Sequence, residues 1–144
     1  MTPIADFGIL LGLVAIATAL GLVWRATTGR VRSLTNTDAV IHVSELSADA
    51  VAGPSATLLQ FSTEVCAPCA TTRVLLHGLA GELDGVHHID VDVTGRPEIA
   101  NRFTLLQSPT TFILDAAGVV RARIGGAPRP AEVRAELERI ISMA

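Results

Sequence analysis

Cys66 and Cys69 are the only two cysteines among 144 residues, and they stand three apart in Cys66-Ala67-Pro68-Cys69. Where such a segment opens a helix, the first sulfur lies beside backbone N–H groups that have no intrahelical partner, and the helix dipole favours its thiolate. The second, one turn on, shares its face and reaches a mixed disulfide formed at the first. This is the arrangement for two-step thiol–disulfide exchange, with Cys66 attacking and Cys69 resolving. Pro68 withholds a donor that the first turn of a helix does not use, and it stiffens the loop. A zinc site needs further ligands. His87 and His88 are adjacent in a strand-like segment, so their side chains point to opposite faces, and no metal site is expected.

The elements that must position this pair are legible around it. Ala56 to Phe61 is an apolar run of the buried-strand type and leads into the cysteines. A helix is expected from Ala67 through Leu83, with Val74, Leu75, Leu79 and Leu83 at helical spacing. Val86 to Val93 reads as a strand, and Pro97 to Phe103 as a short helix opened by proline. Thr110 to Asp115 and Val119 to Ile124, joined at Ala116-Ala117-Gly118, read as a hairpin. The last helix opens at Pro130 and carries Val133, Leu137, Ile140 and Ile141 as one stripe. With Val40 to Glu45 as a first strand, the order is β, β, α, β, α, β, β, α. That order makes an α/β domain with a mixed sheet and flanking helices.

Ahead of this domain, Phe7 to Trp24 holds 18 residues without a charge, about 27 Å of helix, enough to cross a bilayer core. No Lys or Arg precedes the run and no small-residue cleavage site follows it, so residues 4–24 read as a retained single-pass membrane helix. Arg25, Arg30 and Arg32 follow it directly, which puts the rest of the chain on the cytoplasmic side, with an extracytoplasmic domain as the alternative. Residues 25–38 lack apolar periodicity and read as a flexible linker, and residues 39–144 as the globular domain. The hydrophobic share of 49% beside 17% charged residues excludes a disordered chain. A net charge of −3, with arginine as the sole strongly basic residue type, makes nucleic acid a poor partner.

Cys66-Ala67-Pro68-Cys69 together with Ser108-Pro109-Thr110 resembles the active-site CxPC and the cis-proline loop of the thioredoxin family, over about residues 38–142. The resemblance implies a thioredoxin-like fold and a thiol-disulfide oxidoreductase without a cofactor. It implies a cis bond before Pro109, with Ser108 and Pro109 presenting substrate and Gly125 or Gly126 forming the flat groove opposite. Its partners would be disulfide-bearing proteins and an electron-donating reductase such as a thioredoxin reductase. Three departures stand out: Val65 where the family usually has Trp, Ala67-Pro68 in place of Gly-Pro, and Gln60 at the place of the buried carboxylate. An amide cannot exchange a proton at neutral pH, so water or another residue must serve Cys69. There is no room between Cys69 and Pro109 for the insertion carried by membrane-tethered cytochrome-maturation thioredoxins. Two alternatives remain at this stage: an extracytoplasmic thiol reductase for cytochrome maturation or a similar task, and a redox-inert interaction module.

Overall fold

The computed structural model describes residues 3–34 and 39–143. Ten elements follow in order: α1 (Pro3–Thr27), β1 (Val31–Ser33), the 3-10 turn η1 (Val43–Glu45), β2 (Ala56–Ser62), α2 (Ala67–Glu82), β3 (Val86–Asp92), α3 (Pro97–Arg102), β4 (Thr110–Asp115), β5 (Val120–Gly125) and α4 (Pro130–Ser142). The strands form one sheet in the order β1-β5-β4-β2-β3. β2 and β3 are parallel across the α2 crossover, while β4 runs antiparallel to β2 and to β5. This is the mixed α/β sheet expected from the alternation of strand and helix.

β2 is buried along its whole length because both faces of the sheet are covered. Leu59 and Phe61 point into a cluster with Ile41, Val43, Leu46, Val91, Ile99 and Phe112. Ala56 and Leu58 point the other way, against Leu76 and Leu79 of α2 and Val133, Leu137 and Ile140 of α4. Period-2 alternation on a strand buried on both sides thus yields two cores.

Three expectations change. The alternating Val40–Glu45 segment makes one isolated bridge, Val40 to Val119, and then tightens into η1, so that Ile41, Val43 and Leu46 lid the first core. On α2 the buried positions are Cys69, Thr72, Leu76 and Leu79, whereas Val74 is 75% exposed. Of the expected stripe, Leu79 is buried and Leu75 and Leu83 pack against the second core, so only Val74 turns away from the sheet.

The third change concerns residues 25–38, read as a flexible linker. α1 continues through Thr27, and Val31–Ser33 pairs antiparallel with β5, Val31 opposite Ile124 and Ser33 opposite Ala122. Leu34 then donates to the Arg121 carbonyl at 2.7 Å. A short polar segment with one Val pairs here because β5 otherwise leaves an open row of backbone groups, and an edge recruits whatever chain runs beside it. The rest of that expectation, Thr35–Asp38, lies outside the described residues.

Candidate functional site

At the end of β2 the chain turns through Thr63, Glu64 and Val65 into Cys66, which caps α2 with extended backbone (φ −148°). No side chain caps this helix, Pro68 lies in its first turn, and that turn holds no acid. Pro68 offers no N–H and the Cys69 amide donates to the Cys66 carbonyl at 3.2 Å, so it is the positive pole of the helix dipole that favours a thiolate at Cys66. Cys66 and Cys69 are joined in a disulfide with Cα atoms 5.4 Å apart. Cys66 is partly exposed and Cys69 is buried, so the two residues differ in access to solvent. Ala67 and Pro68 are exposed between them, and Val65 is 95% exposed.

Gln60 is fully buried beneath α2. Its Nε2 donates to the Cys69 carbonyl at 3.0 Å, and its Oε1 lies 3.1 Å from His88 Nε2 on β3. With Gln60 oriented to donate to Cys69, His88 must carry its proton on Nε2 to complete the pair. Burial pushes the His88 imidazole down to about 4, against a raising influence of Asp90, with His77 and Arg73 lowering it further. Gln60 is thus a clamp on the backbone of Cys69, and His88 is the titratable group one hydrogen bond behind it. Sequence reading missed His88 because no local spacing shows which residue of a parallel neighbour lies beside Gln60.

The remaining expected residues gather at the same end of the sheet. The Ser108–Pro109 bond is cis, and Pro109 is buried directly before β4. Thr110 pairs with Phe61 of β2 on one side and Gly125 of β5 on the other, which sets Pro109 beside the chain leading to Cys66. The Gly126 amide donates to the Pro109 carbonyl at 2.8 Å. Gly125 is a ladder residue: its carbonyl accepts from the Gly29 amide at 2.9 Å. The groove side of these glycines therefore has a neighbour that sequence reading did not supply, Thr28 and Gly29 at the end of α1. Arg123 was also missed; it donates to the Phe103 carbonyl at 3.0 Å and holds the loop that leads to Ser108.

Other titratable residues are placed apart from this chemistry. Glu64 is exposed, and its amide donates to Thr94 Oγ1. Asp90 accepts from Ser62 Oγ at 2.6 Å and Arg73 Nε at 2.7 Å, whereas Asp92 is held low by the Thr94 hydroxyl and amide. They do not form a carboxylate pair. His87 turns to the Val51 carbonyl while His88 turns to Gln60, the opposite directions expected of strand neighbours. Among the described residues no three His, Cys, Asp or Glu side chains come together around a metal-sized space.

The topology finds parallels among solved structures. The thioredoxin of Trypanosoma brucei brucei matches with a TM-score of 0.56 and 25% identity, over 77% of this chain and 98% of its own. The chain has the thioredoxin fold. Chloroplastic thioredoxin z matches at 0.57 with 19% identity, over 76% and 98%. Reduced Schistosoma mansoni thioredoxin matches at 0.52 with 22% identity, over 68% and 88%. No family model matches the chain, and no curated protein matches it in sequence. The thioredoxin fold with a bonded cysteine pair at its helix opening is the frame of a thiol–disulfide oxidoreductase, while α1 is long and apolar enough to span a membrane.

Proposed function

We propose that this chain is a membrane-tethered protein-disulfide reductase. The observation that carries the reading is the disulfide at the uncapped opening of α2, on the same sheet end as the cis Ser108–Pro109 bond. In the reduced form, the Cys66 thiolate attacks one sulfur of a substrate cystine. A Cys66–substrate disulfide forms, and the other substrate sulfur leaves as a thiolate that takes up a proton. Cys69 then loses its proton and attacks Cys66 Sγ. This releases the second substrate thiol and leaves the Cys66–Cys69 disulfide. Two electrons pass from the dithiol to the substrate, and a dithiol reductase of the cell must return them.

Ser108 and Pro109 are assigned to substrate binding, with Gly126 at their side, while Gly125 belongs to the sheet ladder. The α1 helix is assigned as the anchor. Arg25, Arg30 and Arg32 beyond it favour a cytoplasmic domain, a compartment that keeps thiols reduced and so makes the protein a reductant. An alkaline phosphatase fused to the C-terminus is then inactive, and an active fusion would move the domain to the other side. The activity itself is read by insulin reduction with the full chain in detergent and dithiothreitol as donor. Cys66→Ser removes the catalysed rate, and an unchanged rate would leave the fold as a binding module.

A further inference from the structure

The anchor is docked on the domain at the end that carries the cysteines. Thr28 continues the last turn of α1, donating from its amide (3.0 Å) and hydroxyl (2.9 Å) to the Trp24 carbonyl. Gly29 follows with φ +77°, and a Cβ there would lie 2.1 Å from the Ala127 carbonyl oxygen. Its amide is spent on Gly125. A Cβ on Gly126, the residue bonded to Pro109, would meet the Thr28 methyl group at 2.6 Å. From the α4 cap, Arg129 donates to the Ala26 carbonyl at 3.0 Å and the Arg25 carbonyl at 3.4 Å. These are carbonyls that a helix end leaves without partners, at the pole where a cation is favoured. The Val31 amide donates to Glu132 and Ser33 Oγ to Glu136, so α4 holds both ends of β1.

This junction sets a height and a lateral distance. Side chains of Asp6–Thr27 are exposed throughout, so α1 leaves the domain rather than packing along it. Trp24, 71% exposed at its end, is the residue type that settles at the membrane interface. Thr28 is one turn beyond, about 6 Å. From β1 the sheet crosses β5 and β4 to β2, three strand spacings or about 14 Å, to reach the chain entering Cys66. Val65 and Leu106, 95% and 86% exposed, flank that end as bare apolar side chains.

We infer that the Cys66–Cys69 pair is held against the bilayer surface and that its substrate is a cystine in the juxtamembrane segment of another integral membrane protein. The inference rests on the membrane-tethered reductase reading. A soluble folded domain of 100 residues has a radius of gyration of about 13 Å, so most cystines on its surface are kept out of a gap of this height. A chain emerging from a neighbouring transmembrane helix enters it from the side, at the height of Val65 and Leu106. The exchange is the one written above: the partner's cystine becomes two thiols while Cys66 and Cys69 become the disulfide.

The test uses the full, pre-reduced chain in phosphatidylcholine–phosphatidylglycerol vesicles, in single turnover against two membrane-spanning peptides. One carries its cystine about four residues beyond the bilayer. The other presents it on a rigid helix of about thirty residues, some 45 Å higher. The low cystine should be reduced at least about tenfold faster. A flexible insert of about twenty residues between Thr27 and Thr28 should bring that ratio below about threefold by raising the rate on the high cystine. Equal rates with the native chain, or a ratio that the insert leaves untouched, overturn the inference alone. Failure of the chain to float with vesicles overturns the anchor reading and this inference with it. Failure to reduce a small soluble disulfide likewise overturns the reductase reading and this inference.

Discussion

Two helices open at the same end of the sheet and are used for different ends. α2 begins at Cys66 and α4 at Arg129, each with proline in its first turn and neither with a side-chain cap. α4 has Glu132 in that turn, whose carboxylate accepts from the Val31 amide and from Arg129, and is held below its usual range chiefly by the Val31 bond. Its N-terminus is committed to fastening β1 and α1. α2 has no acid there, so its dipole acts on the Cys66 sulfur with no carboxylate opposing it. At one opening a first-turn carboxylate ties neighbouring elements down, and at the other a cysteine stands where the dipole favours a thiolate.

The sharpest test of that contrast is thiol reactivity. In the reduced chain, Cys66 should be alkylated near neutral pH at least about a hundredfold faster than Cys69, because Cys66 is accessible at the helix opening and Cys69 is 3% exposed. Equal labelling by mass spectrometry would break the assignment of roles.

On the α4 side, Gly29→Val forces a side chain against the Ala127 carbonyl in a left-handed conformation. It should cost about 3 kcal/mol by thermal unfolding, while the single-turnover rate on a small soluble disulfide stays near native. A variant as stable as the native chain would mean that the junction is not fastened as described.

Behind α2, His88 is neutral when folded, with its value lowered to about 4 from 6.5. Between these values the unfolded chain binds more protons, so stability should fall as pH drops from about 6.5 to 4. The loss is about 1–2 kcal/mol after allowing for partial solvent screening. Urea unfolding across this range should show the slope, and His88→Gln should flatten it. A slope unchanged in the variant would reassign it to the carboxylates.

The smallest effect comes from moving an acid to the helix that lacks one. Ala67 is exposed in the first turn of α2, and Ala67→Glu should slow Cys66 alkylation at pH 7 about threefold, through repulsion of the thiolate. A faster reaction would show that the opening of α2 does not set the reactivity of Cys66.

What the sequence determined by itself is what local chemistry determines. Cys66-Ala67-Pro68-Cys69 required a helix opening, the ATLLQF run required a strand buried on both faces, and the 18 uncharged residues required an apolar helix. The hairpin was readable because Gly118, at φ +78°, supplies its turn, with Asp115 accepting from the Ala117 and Val119 amides. Tertiary structure decided everything that depends on which chain lies alongside. Val31–Ser33 has no strand pattern of its own and becomes a strand only because β5 presents an unpaired edge. Gly29 reads as a flexible residue until Gly125 and Ala127 close around it. Gln60 reads as a lost carboxylate until Cys69 and His88 take up its amide. Local patterns carry turn, period and helix-end preferences over a few residues, whereas β1 and β5 meet across more than eighty residues of chain, where no local spacing encodes the partner.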